Sequence, residues 1–167
     1  MHATFPPLFF DMELFLRTTG EIYLADEEAR ECHAFWREWH ASLFIKNVTT
    51  MADYFLAVWL DASVEQTIDA TWRDSPSRGF RLHSLAQMLC MSAVRERIPE
   101  IGYAGCAPVP ASDPALIQVL ADAGLPSHAR NGLVLDRRYA VVTPTIFRGR
   151  CALCALRETC PCLQIIL

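Results

Sequence analysis

The stretch TTMADYFLAVWLDASVEQTIDATW, residues 49–72, decides the fold. Its apolar residues Ala57, Leu60, Val64, Ile68 and Trp72 recur three or four positions apart, the spacing of one helical face. Thr49 and Thr50 can cap such a helix, because a hydroxyl accepts a bond from a free first-turn N–H. The spacing therefore predicts one helix here and a helical first half. The same helix would carry a second stripe of Asp61, Glu65 and Asp69, with only Arg73 to answer it. Like charges at that spacing repel by roughly 0.2–0.5 kcal/mol per pair. The stripe is either a solvated face or a dock for arginines of the second half, namely Arg137, Arg138, Arg148 or Arg150.

Upstream, Asp26, Glu27 and Glu28 suit a helix N-terminus. Cys32, Phe35, Trp36, Trp39 and Leu43 continue at helical spacing to about residue 45. Downstream, residues 74–79 form a cluster of breakers that predicts a turn or short linker. A third helix is expected from about Arg81 to Arg97, with Leu82, Leu85, Leu89 and Ala93 inward and Pro99 as its stop. Residues 102–110 read as an irregular loop around Cys106. Ser112, Asp113 and Pro114 open a short helix that ends at Gly124. Leu133–Leu135 and Tyr139–Phe147 read as two strands joined by a turn at residues 136–138, with Pro144 putting the second at an edge or breaking it. The expected fold class is α+β, mainly α, in a single domain over residues 1–167. A helical part (1–100) packs on a smaller α+β part (101–147) with a short β-hairpin, followed by a cysteine-rich segment (148–167).

An apolar fraction of 52% with 20% charged residues fits a chain of 167 residues that buries an ordinary core. No secretory signal is visible at the start, and no run approaches the ~20 apolar residues of a membrane-spanning helix. A cytoplasmic, reducing location is expected, where clustered cysteines serve metals or redox chemistry rather than disulfide frameworks. The net charge of −4 gives no general attraction to nucleic acid. It is unevenly spread: residues 1–72 hold twelve acids against four bases, and residues 73–167 hold seven against eleven.

The strongest chemical signal is at the end. Cys151, Cys154, Cys160 and Cys162 form a C-x2-C-x5-C-x-C pattern that uses four of the seven cysteines. Soft thiolates suit iron and zinc, and a C-x2-C turn brings two sulfurs to one centre. Pro161 restricts the backbone between the last two. An iron–sulfur cluster, [4Fe–4S], is favoured over the alternative zinc ion, because structural zinc more often draws on two separated C-x2-C knuckles. Cys162 is the nearest fourth ligand, and Cys106 is the alternative. Cys32 and Cys90 fall among apolar helix residues and read as core. Arg148 and Arg150 flank Gly149 just before Cys151, where they would stabilise a negative centre as its cofactor-binding residues. A redox pair of Cys151 and Cys154 is a further reading, although no thioredoxin-like βαβ pattern accompanies it.

The run Cys151-Ala-Leu-Cys154-Ala-Leu-Arg-Glu-Thr-Cys160 resembles the cluster-binding segments of WhiB-like regulators. It is also similar to the cluster loops of adenine and thymine-glycol DNA glycosylases and to the clamp of AddB-type nucleases. The resemblance implies three [4Fe–4S] ligands, Cys151, Cys154 and Cys160, with a fourth elsewhere. It spans residues 151–160 and carries a motif, not those families' DNA functions.

His33 and His40 share one helical face, but no acid lies three or four residues from either, so they read as partly exposed histidines beside Trp36 and Trp39. His83 and His128 have no recognisable companions. There is no phosphate-binding loop, G-x-G-x-x-G, nucleophile elbow, H-E-x-x-H or C-x-x-C-H. The expected function is that of a small iron–sulfur protein in electron transfer, redox sensing or as an accessory subunit, with another protein or a redox carrier as its partner. The alternative is a zinc-stabilised adaptor without a redox role. No membrane or nucleic-acid partner is expected.

Overall fold

A computed structural model describes residues 8–102, 105–125, 137–147, 149, 151–152 and 154–160. The chain is α+β. Its helices are α1 (Met12–Thr19), α2 (Asp26–Ala41), α3 (Ala62–Asp74), α4 (Pro76–Arg97) and α5 (Pro114–Asp122), with a 3-10 turn at Pro99–Ile101. Its strands are β1 (Leu43–Thr49), β2 (Tyr54–Leu60) and β3 (Ala140–Pro144), an antiparallel sheet in the order β1-β2-β3.

The deciding stretch is not one helix. Its first half is the turn and second strand of a β-hairpin, in register from Leu43 opposite Leu60 to Thr49 opposite Tyr54. Thr50 caps no helix but a turn: its Oγ1 accepts from the Asp53 N–H at 3.0 Å and its own N–H donates to the Asp53 carbonyl at 2.9 Å. A hydroxyl bonding an N–H three residues on is common to a helix cap and a tight turn, so the local chemistry does not separate them. The true helix cap is Asp61, which accepts from Ser63 N–H at 2.9 Å. Val64 and Ile68 of the expected stripe are buried on α3, whereas Ala57 and Leu60 are buried on β2 and Trp72 is 37% exposed.

β2 misleads because both of its faces are covered. Six consecutive residues, Phe55 to Leu60, are buried. Leu56, Val58 and Leu60 face a core built with α1, α2, α3 and α4, while Phe55, Ala57 and Trp59 face a second core with Leu116 and Leu120 of α5. A strand buried on both sides loses its two-residue alternation.

α2 keeps its expected start, with the Glu28 carboxylate accepting from the Ala25 N–H at 3.1 Å, and buries Cys32, Trp36 and Trp39. The breaker cluster at residues 74–79 is a helix–helix junction. Ser75 ends α3 and precedes α4, and Pro76 fills the first turn, where no N–H is required. Gly79 lies inside α4 because α3 crosses there: a Cβ at this position would stand 2.7 Å from the Trp72 ring. α4 buries Leu82, Leu85, Leu89 and Ala93 as expected.

β3 pairs with β2, Val142 opposite Ala57 and Pro144 opposite Phe55. Pro144 closes a strand with a single described neighbour, in keeping with its missing donor. The described hairpin is therefore β1–β2 of the first half, and β3 extends it. The expected partner strand, Leu133–Leu135, lies outside the described residues. α5 is capped by Asp113 rather than Ser112, through the Ala115 N–H at 3.1 Å. No helix among the described residues is long and apolar enough to cross a membrane.

Candidate metal centre

The described part of the cysteine segment is a run of turns. Cys154 N–H donates to the Cys151 carbonyl at 3.4 Å, Arg157 N–H to the Cys154 carbonyl at 3.1 Å, and Thr159 N–H to the Leu156 carbonyl at 3.0 Å. Ala155 N–H reaches out to the Val109 carbonyl at 2.8 Å, which ties this segment to the loop that carries Cys106. That loop is itself tightly built. Gly105 folds over the preceding 3-10 turn so closely that a Cβ would meet the Ile101 carbonyl oxygen at 1.9 Å.

Cys151, Cys154 and Cys160 are free and half-buried, and Cys106 is free and exposed. Cys162, Arg148 and Arg150 lie outside the described residues. Among the described residues no group of three or more His, Cys, Asp or Glu side chains is placed to hold a metal ion.

Cys32 and Cys90 are core residues, as their apolar neighbours in sequence indicate. Burial pushes the Cys90 thiol up to about 12, and its Sγ donates to the Tyr139 carbonyl at 3.6 Å. Burial, helped by Glu31, Glu21 and Glu28, pushes Cys32 up to about 11 against the opposing charge of Arg81. Both stay protonated at neutral pH, whereas a metal ligand must be a thiolate.

The acidic stripe of α3 is docked by second-half arginines. Arg138 grips Asp69 with two bonds, 2.7 and 2.8 Å long, and Arg137 Nε donates to Glu65 at 3.3 Å. The Arg138 hydrogen bond holds the Asp69 carboxyl below its usual range. His33 is exposed, its ring edge-on to Phe10 with centroids 4.8 Å apart.

Two features had no legible signal in the sequence. His83 Nδ1 lies 3.0 Å from the Tyr139 hydroxyl, 56 residues away along the chain. Arg95, in the last turn of α4, is a half-buried cation whose Nη2 donates to the Gly105 carbonyl at 3.5 Å. No family model, curated protein or solved structure matches the chain, so the site stands on this chain's own residues.

Proposed function

We propose that Cys151, Cys154, Cys160 and Cys162 bind a [4Fe–4S] cluster, and that the protein serves in electron transfer, redox sensing or as an accessory subunit. One observation carries this reading. Three free thiols at C-x2-C-x5-C spacing lie on a run of turns held against the Cys106 loop through Ala155 and Val109. No helix or strand fixes their side chains, so modest backbone rotation can gather them. The free energy of binding a centre would drive that closure, as it drives folding in small metal domains. Cys162 is the preferred fourth ligand and Cys106 the substitute. Arg148 and Arg150 would offset the negative charge of the thiolate-bound cluster.

Oxygen-free purification with iron, sulfide and zinc analysis tests this. The expected product is brown, absorbs broadly near ~400 nm and holds about four irons and four sulfides per chain. Cys162→Ser is expected to bleach it, while Cys106→Ser leaves the colour. The opposite pattern would make Cys106 the fourth ligand. A colourless protein with one zinc would replace this reading with a zinc-stabilised adaptor, and a metal-free protein with a Cys151–Cys154 disulfide would end both.

A further inference from the structure

Arg95 is held in a way that the other described ion-pairing arginines are not. Arg17, Arg78, Arg81, Arg137 and Arg138 each reach a carboxylate. Among the described residues Arg95 reaches none. Its Nε is sealed from solvent without a hydrogen-bond partner, and its one bond goes to a backbone carbonyl. Burial lowers its pKa below the ordinary arginine value, although a guanidinium stays charged at any physiological pH. A half-buried cation without a counter-charge costs stability, and such a cost is common where a protein keeps a charge for a ligand.

A cavity lies beside it. Between α1 and α4 a space of about 150 Å³ is lined by the apolar Leu14, Met88 and Met91, the polar Thr18, Ser84 and Gln87, and Arg95. Leucine and two methionines make most of the wall apolar, and thioether side chains adapt readily to a guest. Arg95 is the one charged residue in this lining. We propose that this cavity binds a small monocarboxylate with a short alkyl body, its carboxylate on Arg95 and its chain against Met88 and Met91. A planar carboxylate matches the guanidinium fork, and a guest of a few carbons suits the volume. A tetrahedral dianion such as phosphate asks for more donors than one arginine supplies. This proposal does not depend on the cysteine centre.

Butyrate is a suitable probe, with butyramide as its uncharged isostere and inorganic phosphate as the competing anion. In methyl-labelled protein, butyrate is expected to shift the Met88 and Met91 signals and to raise the melting temperature. Butyramide and phosphate are expected to do neither. Arg95→Gln should weaken butyrate at least about tenfold, the scale of one lost charge-assisted contact. Arg95→Met should raise the melting temperature of the ligand-free protein and abolish the response to butyrate, a pairing that a merely structural arginine would not give. Arg95→Lys keeps the charge without the fork and serves as the mildest variant if the others fail to fold. Its butyrate affinity should fall between those of wild type and Arg95→Gln. Unmoved methionine signals, equal binding of butyramide, a preference for phosphate, or undiminished affinity in Arg95→Gln would each overturn the proposal.

Discussion

His83 is partly sheltered where α4 meets the sheet, its Nδ1 against the Tyr139 hydroxyl. Tyr139 is buried, and burial pushes its phenol up to about 12, so the hydroxyl keeps its proton and can donate to a neutral imidazole. Burial lowers the His83 pKa from 6.5, and the Arg138 charge lowers it further. Arg138 also lies over the Tyr139 ring, 5.8 Å from its centre, while Asp69 and Glu65 bind Arg138 and Arg137 beside it. The unfolded chain therefore takes up this proton more readily than the folded one. Stability from His83 is complete above pH 6.5 and drains away as the pH falls from there through the lower folded value. The urea midpoint of the wild type should drop between pH 7.5 and pH 5, and His83→Gln should flatten that slope. Parallel slopes for the two proteins would refute the assignment. Asp69 acts in a separate window. Its lowered pKa contributes stability that is complete above 3.8 and lost in stronger acid.

The acidic stripe shows how elements are joined. On an isolated α3, Asp61, Glu65 and Asp69 would repel one another. In the fold, Arg137 and Arg138 bring their charge to Glu65 and Asp69 as the chain enters β3, so the stripe holds the third strand's approach to the helix layer. Exposed pairs contribute little, and the Arg138–Asp69 pair is nearly half exposed on both sides. Glu65 and Arg137 are the more sheltered pair, at 23% and 18% side-chain exposure. Glu65→Lys would place two cations together there and should cost about 1–2 kcal/mol in chemical unfolding. Unchanged or higher stability would mean that the face behaves as an ordinary solvated one. The spacing of the acids left two readings open, a solvated face and a dock for second-half arginines. The approach to β3 decided for the dock and placed Arg137 and Arg138 in it.

Across the described residues, β2 is the common wall of both cores. One side belongs to the core of helices α1 to α4, and the other to the core with α5. Each fully buried aliphatic side chain there contributes roughly 1.5–3 kcal/mol of apolar burial. Local opening should therefore spare β2 longest. In native-state hydrogen exchange the Ala57 and Val58 amides, central in the three-stranded sheet, should exchange only at the global unfolding free energy. Exchange at β2 faster than at α4 would show that the helices hold together without the sheet. The cysteine segment stands at the other extreme. Its described backbone hydrogen bond to the rest of the chain is that of Ala155 to Val109.

The sequence by itself determined the helices whose apolar residues keep a 3.6-residue period: α2, which has one buried and one wet face, and α4, whose Leu82, Leu85, Leu89 and Ala93 turn inward. It determined that Cys32 and Cys90 are core, through their apolar neighbours, and that Pro144 belongs at a strand end, through its missing N–H. It also placed the cysteine segment and its spacing. Only the tertiary structure decided that Tyr54 to Leu60 is a strand, because burial on both faces erases the period that distinguishes helix from sheet. Only the tertiary structure paired His83 with Tyr139 and set Arg95 beside a cavity with no carboxylate partner among the described residues. Such meetings join residues far apart along the chain, and no local pattern of side chains encodes them.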